Sequence, residues 1–435
     1  MSYAAFLESK RHNSVMTGFD IDESDLNDKL YPFQRHCVQW ALKRGRAALF
    51  EDCGLGKTPQ QLEWAHRVSE YTDKPVLILA PLAVSEQTAR EGKKFGIEVN
   101  VCRSQDGIRP GVNVTNYHML HHFTPEDFGG VVLDESSILK NYDGHYRKML
   151  TSFVSEMQFR LSATATPAPN DLIEIINQSD FLSILSGKEA IALYFIQDGN
   201  TTHAWRLKGH AERPFYQWLS SWSIAMRSPA DLGYCDKHFK LPKLNTIQHV
   251  VDGTVTDGFL FAIEAQTLQD RRAARKESIG KRAGLCAELV NQSDRPWIVW
   301  CNLNSESEEL ARLIPDAVEV KGSDDNDHKR DALIGFSEGR YRVMVTKPSI
   351  AGHGLNWQHC SDMAFVGLSD SWEQYYQAVR RCWRFGQKRE VNAHVVISEK
   401  EGAVLANIQR KEAQAEAMME NIVSAMEEGR HALVG

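Results

Sequence analysis

Two stretches of the chain alternate short β-branched apolar runs with segments of helical periodicity, and this alternation restricts the fold more than any other feature. Strands that are apolar along their whole length, separated by helix-length segments, belong to parallel sheets covered by helices on both faces. The first stretch covers residues 30–185, with expected strands AALFE (47–51), VLILA (76–80), VNVTN (112–116), VVLDE (131–135) and FRLSA (159–163). The second covers residues 285–400, with WIVWC (297–301), AVEVKG (317–322), YRVMVTK (341–347), MAFVGL (363–368) and VNAHVVIS (391–398). An α/β chain of two tandem lobes follows. Between them, residues 186–284 lose the period and are rich in Trp and basic side chains, as an inter-lobe insertion or brace would be. Residues 1–29 carry the acidic patch DIDESDLND and read as an N-terminal extension, and residues 401–435, rich in Ala, Glu and Met without Pro, as a C-terminal helix.

Composition narrows the class. A chain of 435 residues, 42% hydrophobic and 25% charged, can bury two cores. No run approaches the roughly 20 apolar residues needed to span a bilayer, and the polar start MSYAAFLESKRHNS lacks the apolar segment of a secretory signal. A soluble cytoplasmic protein without a membrane partner is expected. The 8 cysteines contain no CxxC pair, which points to reduced thiols rather than a zinc ribbon or a disulfide framework. A net charge of -7 argues against a generic polyanion-coating protein, yet the runs 271–282 and 380–389 are strongly basic.

GLGKT, Gly54 to Thr58, follows the first expected strand and precedes a helical run. Gly54, Leu55 and Gly56 form a turn whose amides can approach phosphates at a helix N-terminus, Lys57 can reach the β- and γ-phosphates, and the Thr58 hydroxyl can ligate magnesium. A strict phosphate-binding loop has Gly where this chain has Glu51, so a plain glycine-rich turn is the competing reading. VVLDESS adds Asp134, suited to hold Mg2+, and Glu135, suited to polarise a water, at a strand end where open α/β sheets bind ligands. In QAVRRCWRFGQ, Gln377 to Gln387, a helix would place Arg381 and Arg384 on one face as arginine fingers for a γ-phosphate, against the alternative of a basic surface helix.

With these residues in place, the chain resembles the Swi/Snf-type ATPases of helicase superfamily two, in a compact form like those encoded by phages and prophages. The likeness covers most of residues 30–398, in the family's order. LYPFQRHCVQW resembles the adenine-reading motif with Gln34, EDCGLGKTPQ motif I, and LILAPLAVSEQTAREGKKF, with Pro81, motif Ia. DESSILKN stands at motif II with its Lys140 and Asn141 tail, and LSATATPAPNDLIE, with Thr164, Thr166, Asn170 and Glu174, resembles motif III. TKPSIAGHGLNW, with Thr346, Gly352 and Gly354, resembles motif V, and QAVRRCWRFGQ, with Gln377, motif VI. Three departures stand out: Ser136 and Ser137 replace a small residue and a histidine in motif II, Gln87 replaces a tryptophan, and residues 225–243 match the family's basic segment only loosely.

The resemblance implies two RecA-like lobes that hydrolyse ATP with Mg2+ in the cleft between them and step along nucleic acid, with DNA favoured and duplex preferred. A strand-separating helicase, or an ATP-gated DNA clamp acting as adaptor in a phage replication or modification complex, are the other readings, and partner proteins of replication, recombination or modification are expected. Arg272 and Arg275 of the basic run are expected to line the nucleic-acid path. The cluster His118, His121 and His122 has metal-like spacing without accompanying carboxylates and reads as a satisfied cluster. Trp218 and Trp222, four apart, read as one packed helix face.

Overall fold

The computed structural model describes residues 16–81, 84–140, 144–197, 205–252, 275–352 and 355–434; Asn141, Arg272 and Gly354, singled out above, lie outside these. The chain divides into two compact units, Met1–His238 with Gln414–Gly435, and Phe239–Ala413.

The first unit is built on β1 (Arg46–Glu51), β2 (Val76–Ala80), β3 (Val99–Val101), β4 (Val112–Asn116), β5 (Gly130–Asp134) and β6 (Phe159–Ala163), followed by the hairpin strands β7 (Phe195–Gln197) and β8 (Trp205–Leu207), and by β9 (Ser223–Met226). Its parallel sheet runs β3-β4-β2-β5-β6-β1-β9. β2, β4, β5 and β6 are buried at every residue, as helix-covered parallel strands must be. The largest of several polar side chains buried in these strands is Arg160 in β6, which donates to the carbonyls of Met157, Phe181 and Ser155 and to the Ser183 hydroxyl. Burial pushes its guanidinium down to about 9.

The second unit contains β10 (Leu244–Val251), β11 (Trp297–Cys301), β12 (Ala317–Glu319), β13 (Val343–Thr346), β14 (Asp362–Val366) and β15 (Val391–Ser398), in the parallel order β10-β15-β14-β11-β13-β12. Its core packs Trp297, Val299, Leu310, Ile314, Val343, Val345 and Val366. The expected C-terminal helix is present as Gly402–Val434. Its residues up to Ala413 belong to the second unit, where Lys411 donates to the Asp370 carbonyl at 2.9 Å, and Met418, Met419, Ile422 and Val423 join the core of the first.

Residues 186–284 differ from a separate insertion. Within them β9 pairs with β1, and β10 pairs with β15 from Leu244↔Val391 to Val251↔Ser398, so both sheets extend into the segment. β10 escapes an apolar-run criterion because it is an edge strand in which the polar pairs Asn245-Thr246 and Gln248-His249 interrupt the apolar residues, and Ile247 and Val250 are themselves exposed. The β7–β8 hairpin is held at its base by Phe195, buried edge-on against Phe215 at 5.5 Å, while Ile196 and Arg206 face outward. Trp218 and Trp222 are buried in the same core, as their spacing implied.

Candidate functional site

Parallel pairing puts the C-terminal ends of β5, β6 and β1 side by side, so the segments after all three open on one sheet edge. After β1 the chain turns through Gly54 (φ 94°) and Gly56 (φ 79°), both left-handed, and enters the helix Lys57–Thr72. Gly56 is required twice over: its φ disfavours a side chain, and a Cβ there would meet Gln34 Nε2 at 2.3 Å. Gln34 is buried and wedges the loop, its Oε1 accepting from Tyr31 N at 2.9 Å and its Nε2 donating to Leu55 O at 2.7 Å. Lys57 Nζ folds back onto its own turn and donates to the carbonyls of Glu51 (2.8 Å) and Asp52 (3.2 Å). Thr58 follows in the first helical turn, half-buried.

Glu51, the departure from the strict phosphate-loop pattern, leaves the cradle unobstructed because its side chain turns into the protein. It is fully buried, accepts from Gln60 Nε2 at 2.7 Å and is hydrogen-bonded to the Cys37 thiol. Burial pushes its carboxyl up to about 7, with the Lys57 charge and the Gln60 and Cys37 hydrogen bonds opposing the rise.

Asp134 closes β5, where its Oδ1 accepts from Gln61 Nε2 at 2.8 Å, tying the acid to the helix that Lys57 and Thr58 begin. Gln60 and Gln61 escaped the sequence reading, although, three and four residues after Lys57, they lie one helical turn further on. Tyr117 donates to the Asp134 carbonyl at 2.6 Å. Glu135 has φ 56°, a left-handed conformation that costs a non-glycine residue about 1–3 kcal/mol and is held by its surroundings. Its Oε2 lies 3.5 Å from Thr164 Oγ1, which in turn accepts from Thr166 N at 3.1 Å. Ser136, one of the two departures from the motif II pattern, is buried: its hydroxyl accepts from Ser162 Oγ at 2.8 Å and its carbonyl from Gln178 Nε2 at 2.9 Å. Further along the same segment, Glu174 clamps Asn170 through its backbone and side-chain nitrogens, both at 2.9 Å. Pro81 directly follows β2 and is half-buried.

In the second unit the expected helix under motif VI stops short, spanning Trp372–Val379, and Arg381 and Arg384 lie in the turns after it. They converge nevertheless: Arg381 Nη1 and Arg384 Nη1 both donate to the Leu355 carbonyl, at 3.1 and 3.2 Å. Gln377 holds Arg381 from below through its carbonyl (3.0 Å) and Oε1 (3.1 Å). The pair therefore shares a site through a folded-back turn rather than helical spacing. Thr346 is buried at the end of β13 and donates to Val320 O at 3.1 Å, so its hydroxyl faces the sheet rather than solvent. Gly352 closes the short helix Pro348–Ala351, where a Cβ would meet Pro348 O at 2.2 Å.

Arg275 corrects an expectation. It is 6% exposed and paired through Nε to Glu401 at 3.2 Å, while Arg282 of the same run is fully buried between Glu306 (2.8 Å) and Glu401 (3.5 Å). Within the described part of this run Arg275 and Arg282 thus belong to a buried ion-pair network, with acids distant in the chain as partners, while Lys276 and Lys281 are exposed. Among the described residues no cluster of His, Cys, Asp and Glu could hold a metal on its own, and His118 is engaged with the Tyr146 hydroxyl at 2.6 Å. None of the helices searched among these residues is long and apolar enough to cross a membrane.

Comparison with known proteins adds to this geometry. The SNF2-related domain matches residues 33–189, and the helicase conserved C-terminal domain matches residues 280–386. The bovine (Bos taurus) DNA annealing helicase and endonuclease ZRANB3 is 27% identical over 418 residues, 86% of this chain and 39% of that protein. The mouse (Mus musculus) ZRANB3 is 29% identical over 38% of this chain and 17% of its own length. The CHD3-type chromatin-remodeling factor CHR7 of Arabidopsis thaliana is 25% identical over 41% of this chain and 17% of its own length. The chain thus matches less than two fifths of each of these relatives. Two α/β units with parallel sheets, a phosphate-loop turn beside an Asp-Glu pair, and successive matches to both domain families lead to one assignment: the chain belongs to the Swi/Snf-type ATPases of helicase superfamily two.

Proposed function

We propose that the chain is an ATP-dependent nucleic-acid motor that translocates on double-stranded DNA. The observation that carries this reading is the shared sheet edge on which the Gly54–Thr58 turn, Asp134 and Glu135 meet, with Gln61 bonded to Asp134 and Thr164 in contact with Glu135. ATP binds with its adenine toward Gln34 and its phosphates over Gly54 to Thr58, and Lys57 exchanges its two carbonyl partners for phosphate oxygens. Thr58 and Asp134 would hold Mg2+, which neutralises phosphate charge when bound. Glu135 orients the attacking water and takes its proton. Arg381 and Arg384, both held on Leu355 O with Gln377 bracing Arg381, take the arginine-finger role that the resemblance to motif VI implies. The Thr164 contact gives the segment after β6 a direct bearing on Glu135, so a polymer gripped by that segment can alter turnover. Backbone contacts of this sort position the protein without reading sequence.

DNA is favoured over RNA because the bovine relative carries the name of a DNA annealing helicase and endonuclease. A partner complex in replication, recombination or modification, in a cytoplasmic setting, completes the reading. ATPase rates measured side by side with single-stranded DNA, duplex DNA and RNA test it, with duplex expected to stimulate most; stimulation by RNA alone would refute it. A strand-separating helicase is the second reading, and one feature favours it: the β7–β8 hairpin, a rigidly based element presenting Ile196 and Arg206. Such an element must meet an unstacking cost of roughly 1.4 kcal/mol per base-pair step. A translocase displaces a triplex-forming strand with ATP and leaves a fork paired, whereas a helicase opens the fork.

A further inference from the structure

Phosphate binding needs exposed cations, and in a chain of net charge -7 these must be concentrated locally. The run containing Arg275 and Arg282 supplies none at those positions, because both are buried in ion pairs. The second unit does have such a concentration elsewhere, made by two segments far apart in sequence, 239–243 (FKLPK) and 383–389 (WRFGQKR).

Several contacts bind these segments into one rigid base. Phe239 stacks on Phe385 at 4.8 Å and 26°, and Trp383 Nε1 donates to Pro242 O at 2.7 Å. Val391 N donates to Lys243 O at 3.0 Å, and the Arg389 guanidinium donates to His359 O. On this base Lys240, Lys243, Lys388 and Arg389 are all exposed. The adjoining acid, Glu390, accepts from Asn245 Nδ2 at 3.1 Å, and Lys243 and Lys388 form no ion pair with the described residues. An ordered backbone spares the cost of ordering the segments themselves, leaving the lysine and arginine side chains to be fixed on meeting an anion. The aromatic pair is half-buried and each ring covers one face of the other, which limits the surface left for stacking an unpaired base.

We propose that Lys240, Lys243, Lys388 and Arg389 form a contact surface for the phosphate backbone of duplex DNA, one that reads no sequence. This rests on the reading of the chain as a DNA motor. The test is binding of the full chain to a fluorescent duplex, without nucleotide, across a salt series. In the double variant Lys243→Gln/Lys388→Gln the slope of log affinity against log salt should shrink by about 1.8, since each lost contact removes about 0.9. The same change is expected with a duplex of unrelated sequence, with DNA-free ATPase unchanged. Arg330→Gln, which removes a surface charge paired with Asp327, should leave the slope as it is. Wild-type binding with an unchanged slope in the double variant overturns this assignment alone. A larger slope loss on single-stranded than on duplex DNA overturns the choice of duplex. A wild-type chain that neither binds DNA nor is stimulated by it overturns the motor reading as well.

Discussion

Replacing Glu51 by Gln should change how the first unit's stability depends on pH, in a direction the buried carboxyl dictates. Glu51 is fully buried and raised from 4.5 to about 7, chiefly by desolvation. The folded form therefore binds its proton more tightly than the unfolded chain does. Stability from this group is fully present below pH 4.5 and is lost as pH rises through about 7, because the native state must then bury a charge. A shift of 2.5 units, from 4.5 to 7, corresponds to about 3 kcal/mol at roughly 1.36 kcal/mol per unit. Glu51→Gln keeps the shape, can still accept from Gln60 and does not ionise. Hydrogen exchange of the β1 amides in wild type and variant, at about pH 5 and about pH 8, measures the difference locally in the first unit. The stability of wild type relative to the variant should fall by about 2–3 kcal/mol from the lower to the higher pH. An equal difference at both pH values would refute the view that a buried carboxyl titrates there.

Three further outcomes are expected. Glu135→Gln should leave ATP binding nearly intact and lower turnover by at least roughly 100-fold; normal hydrolysis in a folded variant would remove Glu135 from the chemistry. Arg381→Ala and Arg384→Ala should each impair single-turnover hydrolysis far more than nucleotide affinity, as groups acting on transition-state charge do. If both variants lost only DNA affinity, these arginines would belong to the backbone track. Glu306→Ala should destabilise the second unit by about 3–5 kcal/mol in urea unfolding, since it strips a buried partner from Arg282, whereas a loss below about 1 kcal/mol would mean the network is hydrated.

What the chain's residues determined by themselves was mostly local or periodic, although the helix expected through Arg381 and Arg384 ends at Val379. Buried parallel strands are rich in apolar residues, unbroken in VLILA and WIVWC and interrupted by polar ones in VNVTN, FRLSA and VNAHVVIS, and these five runs coincide with β2, β11, β4, β6 and β15. The Gly54–Thr58 turn is equally legible because its conformation, with two left-handed glycines, is set within five residues. Two edge strands, β9 and β10, were not legible: β9 is four residues long and half of β10 is polar, and each is defined only by its partner, β1 or β15. Charge was the least legible property. Arg275 and Arg282 read as a basic surface because Glu306 and Glu401, which neutralise them, lie 24 or more residues away from Arg282 in the chain. Arg381 and Arg384 read as neighbours on a helix and became neighbours instead through the Leu355 carbonyl, delivered by a loop between β13 and β14. Glu51, a misfit in the loop pattern, is accommodated because Gln60 and Cys37 from two different helices receive its carboxyl. Hydrophobic periodicity survives in one dimension since it reflects a single face of a single element, whereas the environment of a charge depends on groups that only tertiary folding brings within hydrogen-bonding distance.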